Sequence, residues 1–218
     1  EHLSRHNKEH ADPLYTVRDA ARTVENMISV PFKKRVEILP GVQLTFVEAG
    51  HILGSASVIL DCTEGGKTTR LVFSGDIGRS GLPIIRDPDP PVGADVVIME
   101  STYGNRDHPA FEDAQSRLAA IVSQTAKRGG KLLIPAFAVG RTQEIIYILA
   151  DLVRRQRLAP LKVYVDSPMA NAATRITLAH PALLDSETRE LLAWIEAHPD
   201  RLKIEFVADA ERSKALNE

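Results

Sequence analysis

Four chemically capable side chains follow short apolar runs in this chain. His51 comes after Val42–Val47 through Glu48-Ala49-Gly50, Asp76 after Leu71-Val72-Phe73-Ser74-Gly75, Glu100 after Val96-Val97-Ile98-Met99, and Asp166 after Val163-Tyr164-Val165. Apolar runs of this length read as strands. In open α/β sheets, ligand sites form beyond the carboxyl ends of strands. An imidazole together with carboxylates is a donor set suited to zinc or a similar divalent cation. Taken singly, each of these residues reads first as a cap or turn residue; four such positions in one chain favour a shared site.

The other histidines fit a site less well. His2, His6 and His10 would share one face if their segment were helical, but no carboxylate or glycine punctuation surrounds them, and the segment reads as solvated. His108, His180 and His198 are each followed by proline, which places them at helix edges or loops in structural roles. Cys62 is the single cysteine, near a Gly65-Gly66 turn. It allows no internal disulfide, which suits a reducing compartment, and a cytoplasmic location is expected. No apolar run approaches the length of a membrane span. With 218 residues, 26% of them charged, and a formal net charge of -2, the chain as a whole is no basic nucleic-acid clamp, although a local basic rim around a cleft would be hidden in that total.

The elements that must position these residues follow from periodicity and punctuation. Thr16-Val17-Arg18-Asp19 reads as a capping box, opening an amphipathic helix that ends before Pro31. Val36–Leu39, Val42–Val47, Ser57–Cys62 and Thr69–Ser74 read as strands joined by tight turns, in an antiparallel or mixed sheet. The proline-rich stretch Pro83–Pro91 is a loop, and Asp95–Met99 a short strand. After Glu100 the pattern changes. Helices over Pro109–Arg128, Arg141–Arg157 and Ser186–Ala197, and one opening at Ser167-Pro168, alternate with strands at Lys131–Pro135, Leu161–Val165 and Lys203–Val207. Strand–helix alternation implies parallel βαβ units. A β-rich part over residues 1–100 and an α/β part over 101–218 are expected.

Five motifs occur in order: His51-Ile52-Leu53-Gly54-Ser55-Ala56, Phe73-Ser74-Gly75-Asp76-Ile77-Gly78-Arg79, Glu100-Ser101-Thr102-Tyr103-Gly104, Pro135–Glu144 and Asp166-Ser167-Pro168-Met169-Ala170. Together they resemble the β-CASP branch of the metallo-β-lactamase superfamily, in particular the RNA-processing nucleases related to the cleavage and polyadenylation specificity factor endonuclease. The resemblance implies an α/β fold: the second part of a metallo-β-lactamase αββα-type domain over 1–100, then a β-CASP domain with a mainly parallel sheet over 101–218, incomplete at its C-terminus. It implies a phosphodiester hydrolase acting on RNA with two zinc ions. His51 is then a zinc ligand, Asp76 a bridge between the ions, and Glu100 an outer-shell or proton-transfer partner. Arg141, Ser101 and Ser167 are the substrate-binding candidates. For Arg141 the plainer alternative is a surface arginine, and for Ser167 a helix N-cap.

The family's His-x-His-x-Asp-His cluster is not in this sequence and would precede Glu1; its later histidines would follow Glu218. Both ends therefore read as cuts through a longer protein, and the chain by itself is expected to bind zinc weakly and to leave RNA intact. Two other readings stand beside this one. One is a catalytically inactive scaffold or binding subunit of an RNA-processing complex. The other is an enzyme of the same fold acting on DNA or a small ester or lactam, although a second domain capping the cleft favours a polymer.

Overall fold

A computed structural model describes residues 13–90, 93–107 and 109–216. His2, His6, His10 and His108 lie outside them. Helix α1 (Val17–Glu25) opens with the expected capping box: Asp19 N–H donates to Thr16 Oγ1 while Thr16 N–H donates to the Asp19 carboxylate at 2.8 Å. None of its residues is buried, so its stability comes from the cap and local bonding.

Strands β1 (Val36–Leu39), β2 (Val42–Glu48), β3 (Ala56–Glu64), β4 (Lys67–Phe73) and β5 (Val96–Ile98) form one sheet in that order. The first four are antiparallel neighbours, whereas β5 pairs with β4 in parallel. The mixed sheet follows from loop lengths. β3 and β4 are joined by Gly65-Gly66, both at positive φ, as a two-residue hairpin turn demands; β5 returns parallel only after a long excursion. Within the sheet, buried Asp61 of β3 accepts from Arg70 Nε of the neighbouring β4 at 2.7 Å and from Arg35 Nη2, just before β1, at 2.8 Å, so one carboxylate ties together three segments of the chain.

The rest is α/β. Helices α2 (Phe111–Lys127) and α3 (Arg141–Arg154), strand β6 (Leu161–Val165), helix α4 (Pro168–Leu178), a 3-10 turn at Pro181–Leu183, helix α5 (Ser186–Ala197), strand β7 (Leu202–Phe206) and helix α6 (Ala210–Ala215) follow in order. β6 and β7 pair in parallel, with Leu161 opposite Leu202. The main core joins Ala119 and Val122 of α2 to Ile148, Leu149, Leu152 and Val153 of α3; Ala150, Leu191 and Leu202 form a second cluster, with Tyr147 and Trp194 beside it. The α/β class expected from the sequence is the class observed.

Two elements differ from expectation. Lys131–Pro135 is not a strand: no ladder forms there, and Leu133 is 84% exposed. An apolar run becomes a strand only beside a partner, and none lies alongside among the described residues. Helix α3 stops at Arg154 rather than Arg157, because Gln156 takes φ 58 and Arg157 N–H turns back to Leu152 O at 2.8 Å, a left-handed stop.

The loop after β4 is clipped onto α5. Ile84 N–H donates to Thr188 Oγ1, Asp185 N–H donates to Ile84 O, both at 3.0 Å, and Ile85 bridges Leu184. Ile84 is held at φ 88, an unfavourable conformation for a β-branched residue. Burial of its side chain against the helices offsets that strain.

Candidate functional site

His51, Asp76 and Glu100 come from three separate loops that meet at one edge of the five-stranded sheet. His51 lies in the β2–β3 connection. There Ser55 Oγ accepts from the N–H groups of both His51 (3.0 Å) and Ile52 (3.2 Å), and Ser55 N–H closes on Ile52 O. That turn fixes the backbone from which the imidazole projects. Asp76 leaves β4 through buried Ser74 and exposed Gly75. Ser57 Oγ donates to Ser74 O at 2.7 Å, tying the start of the Asp76 loop to β3.

Close backbone packing registers the two loops. Gly78 N–H donates to Ala49 O at 2.8 Å. A Cβ at position 78 would sit 1.5 Å from Gly50 O and 2.8 Å from His51 N, so only glycine permits this approach. As a result His51 Nε2 lies 3.9 Å from Asp76 Oδ2, with both side chains open to solvent.

Glu100 follows β5 and locks the Asp76 loop from the other side. Its Oε1 accepts from Ile77 N–H at 2.7 Å, and its own N–H donates to Ser74 Oγ at 3.1 Å. The Thr102 hydroxyl foremost, then the Ile77 N–H, hold its carboxyl below the usual carboxylate range, with His51 adding a smaller contribution. An ionised carboxylate already committed to the loop beside Asp76 is suited to orienting that loop and poorly suited to donating a proton near neutral pH.

The pair meets a simple test for a divalent cation. Two donors each about 2.1 Å from a tetrahedral ion sit about 3.4 Å apart, so the observed separation closes with a small side-chain rotation. Imidazole and carboxylate are the right chemistry for zinc. They are two ligands only: among the described residues no group of three or more His, Cys, Asp or Glu side chains is placed to hold a metal.

The substrate-binding candidates divide. Gly140, the N-cap of α3, approaches the His51 loop so closely that a Cβ there would meet Ile52 Cγ2 at 2.9 Å. This sets the N-terminus of α3, and with it Arg141, beside the candidate centre. Arg141 Nη1 is engaged by Glu144 Oε2 at 2.6 Å. Ser101 is exposed and opens a tight turn in which Gly104 N–H returns to Ser101 O at 3.0 Å. Ser167 caps α4, its Oγ accepting from Ala170 N–H at 3.2 Å, and Asp166 accepts from Ser213 Oγ at 2.7 Å; both hold the α4 and α6 ends rather than the His51–Asp76 pair. His180 and His198 sit at helix ends: His180 Nδ1 lies 2.8 Å from Ile176 O, and His198 stacks on Trp194 at 4.7 Å.

Sequence reasoning missed Ser55, Ser74 and Gly78, the residues that shape the site. The available signal was the recurrence of glycine and serine beside each capable side chain, in Gly50-His51 through Ser55 and in Ser74-Gly75-Asp76-Ile77-Gly78.

Comparison with known proteins bears on the family of the chain. Residues 142–218 match the Beta-Casp domain family. The chain is 37% identical over 182 residues to ribonuclease TTHA0252 of Thermus thermophilus, covering 82% of this chain and 40% of that protein. It is 36% identical over 178 residues to the transcription termination factor FttA of Methanosarcina mazei, covering 79% and 27%. An RNase J-like protein of Methanocaldococcus jannaschii is 35% identical over 164 residues, covering 72% and 37%. The chain thus spans well under half the length of these relatives. On the motifs, the matched domain and these relatives, the chain belongs to the β-CASP branch of the metallo-β-lactamase superfamily.

Proposed function

We propose that this chain carries part of the zinc centre of a phosphodiester hydrolase acting on RNA. The supporting observation is the juxtaposition of His51 Nε2 and Asp76 Oδ2 at 3.9 Å on two strand ends of one sheet, in a chain whose relatives include a named ribonuclease. Zinc, bound as a pair of ions in the intact site, would supply hydroxide near neutral pH for attack on a phosphodiester. His51 and Asp76 would hold it, and Glu100 keeps the Asp76 loop in place through Ile77 N–H.

Arg141 is the substrate-binding candidate best placed for phosphate. It stands at the N-terminus of α3, where the helix dipole favours an anion, while the Arg141 and Thr142 N–H groups are taken by Val139 O and Phe137 O at 3.1 Å. Because Glu144 already neutralises it, a phosphate must exchange with that carboxylate, which favours a doubly contacted polymer backbone over a small neutral ester. Ser101, with its exposed position one residue beyond Glu100, is a second contact; Ser167 contributes by fixing α4. We read residues 1–100 as the metallo-β-lactamase-like part and 101–218 as the β-CASP-like part. The one cysteine fits a reducing, cytoplasmic setting, and among the described residues no helix is long and apolar enough to cross a membrane.

The test is zinc and cobalt titration of the 218-residue chain beside His51→Ala and Asp76→Asn. Weak binding that either substitution abolishes is expected, with no RNA hydrolysis. Metal binding unaltered in both variants would end the metal reading. Robust cleavage of RNA by the chain, lost in His51→Ala, would show that two ligands suffice after all. Matched RNA and DNA substrates in the same digestion separate the two polymers.

A further inference from the structure

We propose that the outer face of the β6–β7 pair is a binding surface for single-stranded RNA, built from none of the residues of the His51–Asp76 site. The proposal rests on the RNA reading above.

Alternation divides the pair into two faces. Leu161, Val163, Leu202 and Ile204 point to the helices and join the core clusters. The opposite face carries Lys162, Tyr164, Lys203 and Glu205, in register: Lys162 stands opposite Lys203, and Tyr164 opposite Glu205. Like charges set directly opposite disfavour strand pairing, so folding alone gives no reason for two lysines there. Glu205 offsets part of that repulsion. It accepts from Lys162 Nζ at 3.2 Å, Lys203 Nζ at 3.0 Å and Arg212 Nη2 at 3.4 Å. Three cations share one carboxylate, and the face stays positive although the chain as a whole is slightly acidic.

An aromatic ring stands within that charge. Tyr164 is 40% exposed, and Lys162 Nζ lies 4.8 Å from its ring centroid. An exposed ring on a sheet face gives a nucleobase a stacking surface, and neighbouring lysine and arginine heads meet the flanking phosphates. An acidic protein partner would use the cations alone and gain little from the ring. The combination of the two favours a single strand with unstacked bases. Glu205 then acts as a gate on affinity, because phosphate must compete with it for the same three cations.

The experiment is fluorescence anisotropy of a labelled oligouridylate with the full chain, across a salt series. Lys162→Ala combined with Lys203→Ala should weaken binding about tenfold at low salt and flatten the dependence of log K on log salt by about 1.4, the contribution of two phosphate contacts to a single strand. Tyr164→Ala should weaken it by at least about fivefold, the lower end for one lost stack. Glu205→Gln should tighten it severalfold, a sign that a merely structural role for the cluster would not give. Unchanged affinity in the lysine and tyrosine variants, or weaker binding in Glu205→Gln, overturns the proposal. So does polyglutamate competing as well as RNA with Tyr164→Ala neutral, which assigns the face to an acidic protein. Failure of the unsubstituted chain to bind the oligonucleotide would count against the RNA reading itself, whereas binding insensitive to these four residues sinks only this surface.

Discussion

Substituting Gly78 by alanine tests the claim that backbone contact, rather than side-chain chemistry, brings the two candidate ligands together. The added Cβ would lie 1.5 Å from Gly50 O and 2.1 Å from Gly50 C, far inside the 3.0 Å that real Cβ contacts respect. The 76–78 loop must therefore move away from the 49–51 loop by about 1.5 Å. That motion breaks the Gly78 N–H bond to Ala49 O, a loss of about 1 kcal/mol, and repacking of the neighbouring turn adds a comparable amount. A destabilisation of about 1–3 kcal/mol is expected. The effect on metal should be larger than that figure suggests. The donors stand 3.9 Å apart, already at the long end for one cation, and a further ångström or more leaves them unable to share it. Cobalt and zinc affinity should fall about 10- to 100-fold, the range seen when outer-shell support of a metal ligand is removed. Competition titration against a chromophoric chelator reads the affinity, and urea denaturation confirms that the chain is folded under those conditions. Unaltered metal affinity in folded Gly78→Ala would refute the reasoning, because the loops could then be held in register by something other than this contact.

Three further outcomes follow from the same structure. Glu100→Gln retains an acceptor for Ile77 N–H and should leave metal affinity within a few-fold, whereas Glu100→Ala orphans that donor and should lower it about tenfold or more, both read by the same titration. Asp61→Asn should destabilise the sheet by about 1–3 kcal/mol, less than a fully buried pair would lose because its two arginines remain partly in water. The hydrogen bonds from Arg70 above all hold the Asp61 carboxyl below the usual range; a depressed folded-state pKa means stability that is present above the unfolded value of about 3.9 and is lost as pH falls through the folded one. Urea midpoints from pH 7 to pH 3 should fall more steeply for the unsubstituted chain than for Asp61→Asn. Ser167→Ala removes the α4 cap and should cost about 1 kcal/mol in thermal or urea melts, with metal affinity unchanged; a drop in metal affinity would show that Ser167 reaches the site.

Much of this molecule was legible locally. The capping box at Thr16 and Asp19, the Gly65-Gly66 hairpin, Pro168 opening α4 and the helix over Ser186–Ala197 depend on hydrogen bonds that close within a few residues, so sequence alone determines them. The placement of His51, Asp76 and Glu100 past strand ends was legible too, since strand and turn are both written in short patterns. What only the tertiary structure decided is non-local. Lys131–Pro135 has the composition of a strand, but its hydrogen bonds can come only from a neighbour, and none is beside it among the described residues. The 3.9 Å approach of His51 to Asp76 depends on Gly78 lying against Gly50, a contact between loops 28 residues apart. No periodicity records such a contact: it is set by which strands pair and by how nearly two backbones can touch when one of them lacks a side chain.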